Sequence, residues 1–212
     1  VYKRQKENLL LKAKGLNFYK DLVVHDANIR LPFDDNCFDS IFSNIVYWLN
    51  DSRNSIREIA RVLKKYSRVA LMLPNTTMPK FSLYNNYFIK TKDSHYDFLK
   101  FLDRGRYSSN IKVSKSYDEW KNIIDESGLT IVEHKTHLSK TVIQMWDIGL
   151  RPLFPVLIKM IHSIEDKSKL IEIKQEWIDI FMRFLKPIFD LEMENTLDQN
   201  EEKAFHYFVL EK

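Results

Sequence analysis

The sequence predicts an α/β fold built on a parallel sheet covered on both faces, and three observations predict it. Leu22–His25, Phe38–Phe42 and Arg68–Leu73 are short, nearly continuous apolar runs, the mark of strands buried on both sides. Ile56, Ile59, Ala60 and Leu63 recur at i, i+3, i+4 and i+7, so a helix-length crossover joins the second run to the third, as a parallel pair requires. A later pair of strands, Leu129–Glu133 and Ala204–Leu210, is separated by Thr141–Asn200, a stretch of mostly helical pattern.

Taken in order, Leu9, Leu10 and Ala13 mark the end of a helix that Gly15 stops. The first strand closes at Asp26-Ala27, and the loop Asn28–Cys37 carries Pro32 and the polar run Asp34-Asp35-Asn36. The second strand ends near Ser43-Asn44. Asp51 or Ser52 caps the crossover helix, and Pro74 stops the third strand. The polar, aromatic-rich stretch Thr76–Asn110 suggests short helices around Tyr84–Ile89 and Tyr96–Leu102. Ser116–Glu119 has the spacing of a capping box, opening a helix through Trp120, Ile123 and Ile124 that ends at Gly128. The longest helix is expected near Lys167–Leu185, with Leu170, Ile173, Trp177, Ile180, Phe181 and Phe184 as one apolar stripe and Glu172, Lys174 and Glu176 facing outward. Ligands of open α/β sheets sit outside the carboxyl ends of strands, which places the expected site at Asp26-Ala27, Ser43-Asn44 and Pro74-Asn75.

Composition narrows the classes. Of 212 residues, 44% are apolar and 29% charged, the balance of a globular protein rather than a disordered or fibrous one. The net charge of +4 is too small and too scattered to argue for a nucleic-acid footprint. Cys37 has no partner for an internal disulfide, which makes a reducing cytoplasm the default. The most apolar long stretch, Trp146–Ile161, is broken by Asp147, Arg151, Pro152, Pro155 and Lys159, so no membrane span is expected. Glycine is scarce: the chain has 4, against roughly 15 at average usage, and none forms a phosphate-cradling loop.

The run His25-Asp-Ala-Asn-Ile-Arg-Leu-Pro-Phe-Asp-Asp-Asn-Cys-Phe-Asp-Ser-Ile-Phe-Ser-Asn44, followed by Arg57-Glu-Ile-Ala-Arg-Val-Leu-Lys64, resembles the middle of class I S-adenosylmethionine-dependent methyltransferases. The resemblance is especially to the branch that includes ubiquinone and menaquinone biosynthesis enzymes. Asp125-Glu-Ser-Gly-Leu-Thr-Ile-Val132 is similar to the end of a helix and the sixth strand of that fold. The resemblance implies a Rossmann-like core over residues 1–140 plus 201–212, with 141–200 a helical insertion that caps the substrate. It implies S-adenosylmethionine as cofactor and a small-molecule acceptor, with no resident metal. Asp26 matches the acceptor of the adenine amino group, Ala27 the neighbour whose backbone lies near the ring, and Ser43 and Asn44 the loop beside the methionine part. Two features depart from the family. Lys65-Tyr66-Ser67 replaces its glycine turn, and the Gly-rich loop after strand one and the ribose-binding acid of strand two have no counterpart. The chain is therefore expected to be an N-terminally truncated piece of a longer protein, with the first strands of its sheet missing.

Each residue also has a plainer reading. Asp26 could be a solvated loop carboxylate, and Ser43 and Asn44 ordinary strand-end polarity. Tyr47 and Trp48 suit either the acceptor or the core. Trp146 and Arg151 are candidate acceptor contacts within an insertion whose aromatics also suit packing. His134 and His137, three apart on a strand, fall on opposite faces and do not share a metal. The rival functions are a non-catalytic scaffold of the same fold and an RNA methyltransferase.

Overall fold

The computed structural model describes residue 14, residues 19–97, 99, 113–147, 151–194 and 201–212. Apart from residue 14, the expected helix ending at Gly15 lies outside the described residues, as do positions 98 and 100–102 of the expected Tyr96–Leu102 helix. Four strands form one sheet in the order β1-β2-β4-β3: β1 Phe38–Ser43, β2 Leu63–Pro74, β3 Thr130–His137 and β4 Phe205–Glu211. The helices are α1 Ser52–Val62, α2 Met78–Phe81, α3 Tyr117–Asp125, α4 Lys140–Met145, α5 Arg151–His162 and α6 Lys167–Met193. Shorter turns cover Val46–Trp48, Tyr84–Ile89, the latter π-helical, and Ser94–Tyr96.

Helix α1 forms where its pattern and its cap coincide. The Asp51 carboxylate accepts the N–H groups of Arg53 and Asn54, satisfying two of the orphan donors of the first turn. Ile56, Ile59, Ala60 and Val62 are buried, and the chain passes into β2 at Leu63 without an intervening loop. β1 and β2 pair in parallel, with Ser40 beside Arg68 and Ser43 beside Leu71. Between Phe38 and Ser40 the partner jumps from Leu63 to Arg68, so Lys64–Ser67 bulges. Tyr66 lies at its crest with φ +61° and 87% exposure.

Three expectations about the sheet are corrected. Leu22–His25 is not a strand: the segment has no regular secondary structure, Val24 is 63% exposed, and no described strand lies beside it to complete a ladder. Hydropathy marks a run that can pair, but pairing needs a neighbour's N–H and C=O. The sheet is also not wholly parallel. The Asn75 N–H bonds the Ala204 carbonyl and the Tyr66 N–H bonds that of Lys212, so β4 runs antiparallel to β2. Nor is β1 buried on both faces, since Phe42 is 63% exposed on an edge strand.

The described chain divides into two compact units: residues 1–71, 119–133 and 208–212, and residues 72–118 and 134–207. The core of the first contains Ile56, Leu63, Val69, Leu71, Trp120, Ile124, Phe208 and Leu210. That of the second contains Leu73, Met78, Phe81, Ile143, Ala204 and Phe205. Asn75, expected at the ligand edge, directly follows the end of β2 and is buried in the second unit. Its amide donates to the Lys203 carbonyl and accepts from Thr76, so its polar groups serve the junction of β2 with the residues entering β4. On α6 the half-buried line is Leu170, Ile173, Trp177, Phe181, Leu185 and Ile188, while the expected Ile180 and Phe184 are exposed. The line steps by three or four residues and drifts around the helix, which a fixed stripe does not follow. No helix among the described residues is long and apolar enough to cross a membrane.

A side chain in the left-handed region costs about 1–2 kcal/mol, against roughly 0.5–1 kcal/mol for the extra backbone freedom of glycine. Tyr66→Gly is therefore expected to stabilise the protein by about 0.5–1 kcal/mol in urea unfolding, since the exposed ring contributes little burial.

Candidate functional site

The segment that fails to pair as a strand is held by side chains instead. After this run, Asp26–Ile29 makes a tight turn in which the Ile29 N–H donates to the Asp26 carbonyl at 3.2 Å. The Asp26 Oδ1 accepts two donors from Asn28, the backbone N–H at 3.0 Å and Nδ2 at 2.8 Å. The Asn28 Oδ1 accepts the N–H of Asn50 at 2.7 Å. His25 also braces the turn: its Nε2 meets the Arg30 carbonyl at 2.9 Å.

The loop beyond this turn is fastened to α1. The Arg61 guanidinium donates to the carbonyls of Leu31 and Phe33 and to the carboxylates of Asp35 and Glu58, while Glu58 also accepts the Leu31 N–H at 2.8 Å. Hydrogen bonding to Glu58, then to Asp35, raises the Arg61 pKa, and hydrogen bonding to Arg61 lowers that of Glu58. The Phe33 ring meets Phe38 edge-on with centroids 4.9 Å apart, joining the loop to the start of β1. The Leu-Pro-Phe element and the Glu-x-x-Arg element of the sequence are thus two halves of one clamp.

Ser43 ends β1, and its Oγ accepts the Ile45 N–H at 3.4 Å, while Asn44 is exposed in the bend that follows. Tyr47 and Trp48 lie in the turn Val46–Trp48, both half-buried, with ring centroids 5.5 Å apart and planes inclined by 36°. The bond from Asn50 to Asn28 joins the turn carrying Asp26 and Ala27 to the segment Ser43–Asn50. Six of the expected residues, Asp26, Ala27, Ser43, Asn44, Tyr47 and Trp48, thus lie in the first unit, on two segments that this bond joins. Asn28, which makes the link, went unsignalled in the sequence, because its role depends on a residue 22 positions away. Trp146 and Arg151 belong to the second unit: Trp146 is 40% exposed at the end of α4, and Arg151 opens α5. A cavity of about 370 Å³ in that unit is lined by Thr77, Lys80, Phe81, Lys140, Glu201 and Glu202, none of them an expected site residue.

The histidines of the last strands form a separate cluster. His134 Nε2 lies 3.0 Å from His206 Nδ1, and His137 packs against Phe205 and Tyr207. Among the described residues no group of three or more His, Cys, Asp or Glu side chains is arranged to hold a metal ion. Burial, followed by the neighbouring His134, pushes the His206 imidazole down to about 4, and burial also lowers His134 and His137.

Residues 3–71 match the family model described as a methyltransferase domain. No curated protein sequence matches the chain. A chain of the complex between the Haloferax volcanii Trm112 methyltransferase activator and its methyltransferase is 21% identical, covering 59% of this chain and 48% of its own, with a TM-score of 0.42. The [4+2]-cyclase SpnF is 15% identical, covering 97% of this chain and 60% of its own, with a TM-score of 0.50. A Haemonchus contortus phosphoethanolamine N-methyltransferase, solved with S-adenosylhomocysteine, is 14% identical over 88% of this chain and 36% of its own, with a TM-score of 0.47. The chain thus spans 48% and 60% of the length of the first two. The fold is the Rossmann-like methyltransferase fold, four strands of it being described.

A histidine held neutral in the folded state contributes stability above its unfolded pKa near 6.5, and that contribution is lost as the pH falls towards its folded value of about 4. Wild type is expected to lose up to about 3 kcal/mol from this group over that window, and His206→Gln to lose correspondingly less, as read from urea midpoints at pH 7.5 and pH 4.5.

Proposed function

We propose that the chain carries an S-adenosylmethionine-dependent methyltransferase acting on a small molecule in the cytoplasm, of the branch that includes the ubiquinone and menaquinone biosynthesis enzymes. The observation that carries this reading is the Asp26 turn: an exposed carboxylate, oriented by two donors, lies inside the stretch that matches the methyltransferase domain. An ionised carboxylate is an acceptor only, which suits the exocyclic amine of adenine.

In this reading Asp26 accepts the 6-amino group and the Ala27 backbone lies along the ring. Ser43 and Asn44 line the methionine part. Tyr47 and Trp48 meet the acceptor. When bound, S-adenosylmethionine supplies an electrophilic methyl group on its sulfonium sulfur. The residues of the chain are then asked chiefly to position, a contribution that can reach about 7 to 11 kcal/mol. A base is required only where the accepting atom must lose a proton. His25 holds the Arg30 carbonyl and serves the turn rather than the chemistry.

The fold alone does not fix methyl transfer, since a [4+2]-cyclase shares it. The test is therefore binding together with turnover. Calorimetry is expected to give micromolar affinity for S-adenosylmethionine and S-adenosylhomocysteine, and absence of both would favour the scaffold reading. Salt-sensitive retention on RNA would favour an RNA acceptor. A hydrogen bond to a charged acceptor contributes about 1.5–3 kcal/mol, so Asp26→Ala is expected to weaken S-adenosylhomocysteine roughly 10- to 100-fold.

A further inference from the structure

We propose that Asn28 is a positioning residue that sets the base specificity of this site by locking the Asp26 carboxylate in the orientation that accepts an amine. The inference rests on the assignment of Asp26 to the adenine.

The Asn28 side-chain amide has its orientation dictated by its partners. A carboxylate oxygen only accepts, so Nδ2 must face Asp26; a backbone N–H only donates, so Oδ1 must face Asn50. Two donors converge on the same Asp26 oxygen, at 3.0 Å from the backbone and 2.8 Å from the side chain. The first survives any substitution at position 28 that keeps the N–H, whereas the second needs a side-chain donor. The bond to Asn50 fixes the amide against a segment far along the chain, so the Asp26 rotamer is tied to the loop that carries Tyr47 and Trp48. Such a carboxylate can discriminate. The 6-amino group of adenine donates to it, whereas the 6-oxo group of hypoxanthine sets a second acceptor against the carboxylate, and a site built around one hydrogen bond rejects an analogue that lacks it. A carboxylate that loses its side-chain donor is held less firmly and loses part of that selectivity, because it can turn further from the oxo group.

Asn28→Asp is the informative variant, because it keeps the shape and replaces the donor by an oxygen. Ionised, the introduced carboxylate repels Asp26 at hydrogen-bond distance. Once the pair holds one proton, the hydroxyl of the introduced acid donates to Asp26 as the amide did, while its carbonyl oxygen still accepts from Asn50.

The experiment measures calorimetric affinities of the protein as it exists for S-adenosylhomocysteine and S-inosylhomocysteine, for wild type, Asn28→Ala and Asn28→Asp, between pH 5 and 8. Wild type is expected to prefer the adenosyl ligand throughout. Asn28→Ala is expected to lose about tenfold in adenosyl affinity, with inosyl affinity unchanged or raised, so that the preference shrinks at every pH. Asn28→Asp is expected to lose the preference at pH 8 and regain it towards pH 5, a profile that loosening of the loop would not produce. A wild type that binds both ligands equally, or neither, overturns the Asp26 assignment and this inference with it. A wild type that discriminates, with both variants discriminating alike at all pH values, overturns the role of Asn28 and leaves Asp26 standing. Should Asn28→Ala fail to fold, the pH profile of Asn28→Asp decides alone.

Discussion

The described site depends on how α1 holds a segment that the sheet does not. Between Asp21 and Cys37 the backbone takes part in no strand of the sheet, so its polar groups and its path must be secured by other means. Arg61 supplies them. Its planar guanidinium can serve several acceptors at once, and it binds two backbone carbonyls and two carboxylates together. Glu58 adds the reciprocal half by accepting the Leu31 N–H. Both side chains are largely covered, at 16% and 17% exposure, so the network lies where solvent competes weakly.

From that clamp the site follows in short steps. The start of the loop is tied to α1 through Leu31, which leaves only a few residues between the anchor and Asp26, and His25 closes the turn from its other side. Asn28 then converts the turn from a local feature into one that faces the segment after β1. β1 itself is set in register by β2, whose bulge at Lys64–Ser67 absorbs the mismatch between the helix end and the strand. Lys212 lies under the same junction, its Nζ bonded to the Leu63 carbonyl at 2.7 Å and to Asn36 at 2.8 Å, where a cation suits the carboxyl end of a helix. The end of β2 is secured differently, by the buried amide of Asn75 against the chain entering β4.

Much of this was legible in the residues. The crossover helix could be read with its cap, because Asp51 and the Ile56, Ile59, Ala60 spacing act within a few turns of one element. Three of the strands could be placed to within a residue or two at their starts, and β2 began five residues before its apolar run, where bulge and burial rather than hydropathy set the boundary. The run Leu22–His25 misled, since its apolarity carries no information about whether a neighbour is present. Its exposure also shows why an acidic residue can be picked out from a motif while the manner of its support cannot. The pattern Glu-Ile-Ala-Arg was visible, but not that its charged members reach across to Leu31, Phe33 and Asp35.

By itself the sequence determined what short-range chemistry determines: where the crossover helix runs, where Asp51 caps it, and that Gly128 follows the end of a helix. The tertiary structure decided the rest: the reversal of β4, the solvated side of β1, the clamp of Arg61 and the bond that brings Asn28 to Asn50. The reason is one of range. Caps and periodicities act over a turn or two of chain, whereas hydrogen bonds such as Asn50 to Asn28 join residues 22 apart, and their partners become defined only once the chain has folded.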